Sequence, residues 1–225
     1  MLSINMEKAF ELSKEFFALD TPSVSDALDS LGIMGGLENI KPINLGSKMC
    51  GPAFTLRYMP KGTTTFSGAG DYIDDVPEGS VIVIDNVGKK NSTAWGDILT
   101  RVAVRNKLGG TLIHGVCRDV PAIRELNYPL FSLGCYMVTG KDRMALEAIN
   151  IDINVCEVRV RPSDIILGDD SGALVIPLER AQEVLQLAKE IEEKESGILK
   201  CIEEGMTLKD ARIKYNYDAL QRRKK

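Results

Sequence analysis

The pattern of apolar and polar positions predicts helices at both ends of the chain and strands between them. Apolar residues recur at three- and four-residue steps over residues 6–19 and again over residues 178–204, which is typical of amphipathic helices. Pro22, placed in a first helical turn, predicts a second helix that continues to Ser30. The β-branched residues 81–84 form a continuous apolar run, which indicates a strand buried on both faces.

Shorter patterns predict the remaining elements. Alternation and short apolar runs indicate strands, stretches rich in Gly and Ser indicate loops, and Thr207 predicts the start of a last helix that runs to Tyr215. The predicted strands lie within 40–58, 128–134 and 155–160, a hairpin covers 165–177, loops cover 61–70 and 89–95, and a short helix covers 120–126. The final six residues are expected to be disordered. Buried parallel-type strands together with alternating strands argue for an α/β layered domain with a mixed sheet.

One stretch near the middle of the chain brings charged residues to the ends of predicted elements. Residues 96–108 have apolar positions at helical spacing, and a Gly-Gly stop separates them from a short buried strand at 111–113. Asp97 begins the helix, and Arg118 and Asp119 follow the strand. Because the carboxyl ends of strands and the N-termini of helices share one edge of an α/β layer, these three side chains can meet at one site. Two carboxylates and a guanidinium suit a divalent cation and a small carboxylic acid.

Composition and charge narrow the classes of partner. Of the 225 residues, 44% are hydrophobic and 27% are charged, as in one globular domain of moderate size. The net charge of -4 argues against non-specific binding to nucleic acid or to an anionic membrane surface. No apolar run is long enough to span a membrane, and the N-terminus lacks a secretory pattern. The five cysteines have no metal-binding spacing, so free thiols in a reducing cytoplasm are expected, and Cys117 is interpreted as a packed thiol.

Several short motifs occur together along most of the chain. Twenty residues separate Asp97 from the pair Arg118-Asp119. The other motifs are Leu19-Asp20-Thr21, Ser25-Asp26-Ala27-Leu28, Gly51-Pro52-Ala53-Phe54-Thr55, Trp95-Gly96-Asp97-Ile98-Leu99, Gly168-Asp169-Asp170-Ser171-Gly172 and Val175-Ile176-Pro177. As a set, these motifs resemble the RraA-like family over about residues 15–215. Ser163 departs from the family pattern, which usually has a glycine there, in a structural turn.

The resemblance implies a fold and an assembly. The family fold is an α/β, swivelling-type layered β/β/α domain of mixed sheet, which here would form a single domain over residues 1–225 with a C-terminal helical extension at 178–225. Family members assemble as trimers or as dimers of trimers, with the active site between subunits. The C-terminal helices are expected to have little core within one chain and to pack on a neighbouring subunit.

The resemblance also implies an activity and roles for residues. The family includes class II pyruvate aldolases, which cleave 4-hydroxy-4-methyl-2-oxoglutarate and 4-carboxy-4-hydroxy-2-oxoadipate. By resemblance, Asp119 is the direct ligand of Mg²⁺ or Mn²⁺, with water in the other positions. Arg118 contacts the oxo acid and stabilises developing enolate charge, and Asp97 orients or deprotonates a bound water. The backbone amides that could receive the pyruvate carboxylate are those of Gly96, Asp97, Ile98 and Leu99.

An acidic residue from the C-terminal helix of the neighbouring subunit completes the site in the family. Glu195 lies closest to that position of the family pattern, although Glu192 and Glu193 are its near neighbours. Considered alone, Glu195 would be an ordinary solvated residue on a helix surface. Both interpretations remain open at the level of the sequence.

Two functions of different classes follow. The first is a metal-dependent lyase that cleaves a 4-hydroxy-2-oxo acid to pyruvate, with decarboxylation of oxaloacetate as a related activity. The second is a non-catalytic, protein-binding regulator of ribonuclease activity. Regulators of that type tend to lack the aspartate after the arginine and the long C-terminal helix, and this chain has both. A menaquinone methyltransferase function is discounted, because no Gly-rich loop marks a site for S-adenosylmethionine.

Each candidate residue also has a purely structural interpretation. Arg118 and Asp119 alone would form a surface ion pair, and Asp97 alone would interact with the dipole of its helix. His114 is the single histidine, and it is interpreted either as a structural, hydrogen-bonded residue or as a residue that supports the site from behind. The Asp-Asp pair at 169–170 resembles a metal site but favours a hairpin turn.

Overall fold

The computed structural model describes residues 2–62 and 70–217. Along the chain, helices come first and last, and most of the strands lie between them. The helices are α1 (Leu2–Phe16), α2 (Thr21–Ser30), α3 (Asp97–Arg105), α4 (Val120–Glu125), α5 (Ala181–Glu203) and α6 (Leu208–Lys214), and a 3₁₀ helix covers Asp71–Asp75. The strands are β1 (Lys41–Pro42), β2 (Met49–Pro60), β3 (Val81–Trp95), β4 (Gly110–Cys117), β5 (Leu130–Ser132), β6 (Met144–Ile149), β7 (Ile153–Val155), β8 (Val158–Val160), β9 (Ile165–Asp169) and β10 (Gly172–Ile176). Thr207 caps α6 by accepting a hydrogen bond from the backbone of Asp210, as predicted.

A mixed sheet forms the centre of the fold. Within the described residues, eight strands belong to it, in the order β1-β5-β4-β3-β2-β9-β10, with β6 paired to the second half of β2. The neighbours β2, β3, β4 and β5 run parallel, whereas β1, β6, β9 and β10 pair antiparallel. The predicted α/β fold with a mixed sheet is therefore confirmed.

Two cores lie on opposite faces of the sheet. Ile82 and Ile84 of β3 belong to a core that also contains residues of α3 and α4, while Val81 and Val83 belong to one that contains β7 and β8. None of these four side chains has any exposed surface, so the prediction of a strand buried on both faces is confirmed. The layers of helix, sheet and β-hairpin match the arrangement that the family resemblance implied.

The C-terminal helix α5 has more core within its own chain than the sequence suggested. Ala181, Val184 and Ala188 in its first half are fully buried, in a core shared with α1, α2 and the β9–β10 hairpin. The second half is different: Ile198 joins a small cluster with α6, and Leu199 is 61% exposed. The prediction of a missing core is therefore wrong for the first half of α5. Packing of the second half on a neighbouring subunit stays a prediction.

The predicted loop at 89–95 is wrong, because β3 continues to Trp95. Val87 and Gly88 have left-handed φ angles of 55° and 65°, and the chain turns there before it pairs with β4 again. The later pairings, at Lys89, Thr93 and Trp95, shift register with respect to one another. This pairing uses the backbone and leaves no apolar alternation in the sequence. The extension carries the chain directly from the sheet into α3.

Two other elements differ from the prediction. The predicted strand at 155–160 is the hairpin of β7 and β8, because Cys156 and Glu157 adopt left-handed φ angles of 50° and 67° and reverse the chain. The strand β6 was not predicted, since its residues alternate only weakly between buried and exposed. Most of the predicted loop at 61–70, and the final six residues, lie outside the described residues. In the described part of the chain, no helix combines the length and the apolar character needed to cross a membrane.

Candidate functional site

The site lies where two parallel strands end and two helices begin. Trp95 ends β3 and Cys117 ends β4, and these two residues are paired in the sheet. The backbone N–H of Arg118 donates a hydrogen bond of 3.0 Å to the carbonyl oxygen of Trp95. Gly96 and Asp97 therefore lie beside Arg118 and the residue after it, at the edge of the sheet where ligands of α/β proteins tend to bind.

Asp119 has an unusual backbone conformation that turns its carboxylate towards α3. Its φ and ψ angles of 57° and 37° are left-handed, which is uncommon for a residue other than glycine. Oδ2 of Asp119 accepts a hydrogen bond of 3.1 Å from the N–H of Asp97 and lies 3.4 Å from Nε of Arg118. Each of the two side chains is more than a third exposed, so this ion pair contributes little to stability. The geometry serves to hold a carboxylate beside a guanidinium at the start of a helix.

Gly96 leaves the space that this carboxylate occupies. A Cβ atom at position 96 would lie 2.5 Å from Oδ2 of Asp119 and 3.3 Å from Nε of Arg118. The first distance is far below van der Waals contact, so any larger side chain must displace the carboxylate. The sequence motif indicated that Gly96 belongs to the site, but its steric role is visible only in the structure.

A chain of hydrogen bonds fixes the beginning of α3. Nε1 of Trp95 donates to Oγ1 of Thr100 at 2.9 Å, and that hydroxyl donates to the carbonyl oxygen of Gly96, also at 2.9 Å. The ring of Trp95 lies parallel to that of Tyr128, with centroids 6.2 Å apart. Trp95 both packs in the core and lines the site. Sequence reasoning missed Thr100, because a threonine within a helix gives no signal of such a role.

A cavity of about 550 Å³ opens in front of these residues. Its lining includes residues 96–99 and Arg118, together with Tyr58, Met144 and the segment 139–142. Burial raises the pKa of Tyr58 to about 12, so its hydroxyl group stays neutral. The volume lies in the range of small-molecule sites in proteins. The cavity is thus large enough for a small organic acid held against Arg118.

Charged residues also contribute to the lining of the cavity. Lys61 and Lys141 both line it, together with Asp142. Nζ of Lys61 lies 2.6 Å from Oδ1 of Asp142, and this contact holds the pKa of Asp142 below its usual range. Lys61, Lys141 and Asp142 together add a net positive charge to the lining, which favours an anionic group on a ligand.

The first amides of α3 already have partners within the chain. The N–H of Asp97 donates to Asp119, and the N–H of Ile98 donates to Oδ1 of Asp97 at 2.8 Å. The side chain of Ile98 is 72% exposed, while Leu99 packs partly against the core. The prediction that these amides receive a carboxylate thus requires that a ligand replace or share these hydrogen bonds.

Glu195 does not lie at this site within a single chain. It is on the second half of α5, where its Oε1 accepts a hydrogen bond of 3.0 Å from the hydroxyl group of Tyr217. It is not among the residues that line the cavity. A role for Glu195 in the site would therefore require a neighbouring subunit, and it stays a prediction.

His114 lies within β4, not after it, and apart from the cavity lining. Its Nδ1 is 3.5 Å from Oδ1 of Asp85, its pairing partner on β3, and is buried without a hydrogen-bond partner in the described part of the chain. The predicted location after the strand is therefore wrong, the predicted hydrogen bond is not formed at Nδ1, and the structural role of His114 stays a prediction.

The donor atoms at the site fit a hydrated divalent cation. Among residues 2–62 and 70–217, no group of three or more His, Cys, Asp or Glu side chains converges to hold a metal. A cation at Asp119 would take most of its ligands from water, which suits Mg²⁺ or Mn²⁺ and does not suit a structural zinc site. The space beside Gly96, which holds the Asp119 carboxylate, is consistent with that arrangement.

Comparison with known proteins identifies the family. The RraA-like family, described as Aldolase/RraA, matches residues 21–175. The chain belongs to this family.

Three relatives illustrate its range. Protein DlpA of Legionella pneumophila is 45% identical over 209 residues, which are 92% of this chain but 34% of that protein, so the chain spans about a third of its length. A protein of Halalkalibacterium halodurans named "Putative 4-hydroxy-4-methyl-2-oxoglutarate aldolase" is 33% identical over 175 residues, covering 78% of this chain and 80% of that protein. The crystal structure of Streptomyces coelicolor RraAS2, described as an unusual member of the RNase ES inhibitor RraA protein family, is 28% identical, with a TM-score of 0.76 over 83% of this chain and 94% of that one.

Proposed function

We propose that this protein is a divalent-metal-dependent lyase that cleaves a 4-hydroxy-2-oxo acid, such as 4-hydroxy-4-methyl-2-oxoglutarate, to pyruvate and a second carbonyl compound. The observation that carries this proposal is that Arg118 and the start of α3 line one cavity of about 550 Å³, and that the Asp119 carboxylate contacts both of them directly behind this lining. Family relatives that bear an aldolase name support the same class of reaction.

Cleavage requires that charge be stabilised on the pyruvate half of the substrate. The proton of the hydroxyl group leaves, the carbon–carbon bond beside it breaks, and the electron pair of that bond passes into an enolate, which is then protonated to give pyruvate. Mg²⁺ or Mn²⁺, when held by Asp119, supplies positive charge for this step. Arg118 binds the oxygens of the oxo acid and adds a fixed positive charge beside the developing enolate.

The other residues of the site have supporting roles in this proposal. Asp97 orients a water molecule that moves the proton. Its location at the first turn of α3, next to Asp119, gives it access to the same part of the cavity. Lys61 and Lys141 attract the second carboxylate of a dicarboxylic substrate. Glu195 of a neighbouring subunit, in a trimer or a dimer of trimers, completes the proton path. Oxaloacetate, whose decarboxylation gives the same enolate, is a second expected substrate.

A coupled assay of pyruvate release with lactate dehydrogenase tests this proposal. The substrates are 4-hydroxy-4-methyl-2-oxoglutarate and oxaloacetate, each with Mg²⁺, with Mn²⁺ and with EDTA. We expect release only with metal. Asp119→Asn should lower it by at least about a hundredfold, because the charge is lost while asparagine still tolerates the left-handed backbone. Arg118→Ala should abolish pyruvate release.

Matched controls separate chemistry from folding. Asp29 and Arg101 are exposed residues on α2 and on α3, outside the cavity lining. Asp29→Asn and Arg101→Ala should retain full turnover, and all four variants should keep the circular dichroism of the parent. A fully active Asp119→Asn variant would contradict the proposal.

The alternative is a non-catalytic regulator that binds a ribonuclease, and the similarity to RraAS2 is the observation that favours it. Tight binding to a ribonuclease, without metal binding and without pyruvate release from either substrate, would support the regulator. Metal-dependent turnover that Asp119→Asn removes would exclude a purely non-catalytic role.

A further inference from the structure

Two cysteine residues meet next to the candidate site. Cys117, the last residue of β4, directly precedes Arg118, and its Sγ lies 3.9 Å from Sγ of Cys135. Neither the proposed reaction nor the site described above uses these thiols. The other three cysteines, Cys50, Cys156 and Cys201, are free and have no sulfur partner among the described residues.

The backbone holds the two cysteines in register. Cys117 and Cys135 form a parallel β-bridge, flanked by hydrogen bonds from the N–H of Cys117 to the carbonyl of Gly134 and from the N–H of Tyr136 to the carbonyl of Cys117. Paired strands lie about 4.8 Å apart, which falls within the range of Cα separations that a disulfide spans. The sulfurs can therefore approach to bonding distance by side-chain rotation, without separation of the strands.

The two thiols differ in access to solvent. Cys117 has no exposed surface. Cys135 is exposed. An oxidant in solution therefore reaches Cys135 first, and Cys117 is placed to attack the product from the buried side.

From this geometry we infer that Cys117 and Cys135 are a redox-active pair that forms a reversible intramolecular disulfide with a small disulfide oxidant such as oxidised glutathione. The thiolate of Cys135 attacks one sulfur of oxidised glutathione and releases one glutathione. The sulfur of Cys117 then attacks the mixed disulfide at Cys135, displaces the second glutathione and gives up its proton to it. Two protein thiols are oxidised, and one glutathione disulfide is reduced to two glutathiones.

The disulfide would join two segments that contribute to the lining of the cavity. Cys117 directly precedes Arg118, and Cys135 leads within a few residues to the segment 139–142, which lines the same cavity. Since Cys117 is packed in the core, closure of the bond is expected to draw the exposed segment around Cys135 towards β4. Oxidation is thus expected to constrain the opening of the cavity.

Mapping of the disulfide tests the chemistry independently of any enzyme activity. The folded protein is incubated with oxidised glutathione, unfolded, alkylated, and digested without reductant for mass spectrometry. We expect a peptide that links Cys117 to Cys135, a loss of two of the five alkylatable thiols, and full recovery after dithiothreitol. Cys135→Ser should prevent the link and leave Cys117 alkylatable, whereas the control variant Cys156→Ser should form it like the parent.

Three results would overturn the inference. These are a stable glutathione adduct on Cys135 with Cys117 still alkylatable, no reaction at either thiol, and a link from Cys135 to a cysteine of another chain. The effect on the site rests on the proposed function and is measured separately, as pyruvate release from oxidised protein. We expect oxidation to lower the rate of pyruvate release several-fold. Dithiothreitol should restore the rate, and the Cys135→Ser variant should show no such fall. Unchanged turnover of fully cross-linked protein would contradict the constraint on the cavity but not the thiol chemistry.

Discussion

At the scale of single residues, the site depends on the absence of a side chain at position 96. A Cβ atom on Gly96 would lie 2.5 Å from Oδ2 of Asp119, so Gly96→Ala must displace that carboxylate. Because Asp119 is the proposed metal ligand, we expect Gly96→Ala to weaken Mn²⁺ binding by roughly 10–100-fold and to lower pyruvate release in parallel. Titration calorimetry with Mn²⁺ measures the first effect, and the coupled assay measures the second.

A second glycine provides the control for this prediction. A Cβ atom on Gly36 would meet no atom within 4 Å, and its φ is not in the left-handed region. Gly36→Ala should bind Mn²⁺ as the parent does, with the same unfolding midpoint. If Gly96→Ala also retained parental Mn²⁺ affinity, Asp119 would not be the metal ligand in the orientation described.

At the scale of elements, a carboxylate ties the first turn of α2 to the end of β9. Oδ2 of Asp169 accepts from the N–H of Thr21 at 2.8 Å, and Oδ1 accepts from the hydroxyl of Thr21 at 2.7 Å and from the N–H of Ser171 at 2.8 Å. Partial burial raises the pKa of Asp169, but the hydrogen bonds outweigh it and leave the pKa below its ordinary value of 3.8. The Asp-Asp sequence at 169–170 is therefore part of a structural turn, as the sequence indicated.

The hydrogen bonds of Asp169 lead to a prediction about how the stability of the fold depends on pH. Because the folded-state pKa of Asp169 is depressed, its stabilisation is fully present above pH 3.8 and is lost as the pH falls through the folded-state value. We expect Asp169→Asn to lower the free energy of unfolding by about 1–2 kcal/mol at pH 7, and the difference from the parent to shrink below pH 3.8. Urea unfolding at several pH values measures it, with exposed Asp29→Asn as a neutral control. If the difference in the free energy of unfolding stayed constant down to acid pH, the lost stability would come from altered packing and not from the charge of Asp169.

Several elements could be predicted from the sequence because their signals are local. The run at 81–84, the helix α3 and the β9–β10 hairpin all depend on apolar periodicity or turn residues. The end of β3 and the strand β6 depend on partners far along the chain, and their side chains carry no clear pattern. The turn at Cys156 and Glu157 lacks the glycine or asparagine that usually announces a left-handed backbone.

The same distinction applies to the site. Asp97, Arg118 and Asp119 could be expected to meet, because the ends of adjacent elements share one edge of the sheet. The hydrogen bond that Nε1 of Trp95 donates to Thr100, and the cavity lining at 139–142, could not be expected from the sequence. Both depend on how β3 and the segment before β6 fold back on the sheet. The contact between Cys117 and Cys135 is of the same kind, since Cys135 lies outside the strands and pairs with the end of β4 through an isolated bridge.

At the scale of the whole molecule, the C-terminal helices present an apolar surface. Leu199 of α5 is 61% exposed, and Leu208 and Ile213 of α6 are 56% and 69% exposed. Glu195 lies on the same half of α5 as Leu199. Exposed apolar residues on these two helices favour an interface, which agrees with the proposal that α5 completes the site of a neighbouring subunit.

Mixed oligomers test the site between subunits directly. Asp119→Asn lacks the metal ligand and Glu195→Gln lacks the acidic group, so each variant alone should be inactive. In a co-expressed mixture, a subunit with intact Asp119 can stand beside one with intact Glu195, and random mixing in a closed ring should restore on the order of a quarter of the sites. Two differently tagged chains, purified in sequence and assayed for pyruvate release, measure this gain.

A mixture of Asp119→Asn and Arg118→Ala is the control and should show no gain in activity. Asp119 and Arg118 belong to the same subunit, so every site in this mixture lacks one of the two residues. If the mixture of Asp119→Asn and Glu195→Gln released no pyruvate, the result would contradict a site shared between subunits. If Glu195→Gln alone were fully active, Glu195 would have no part in the mechanism.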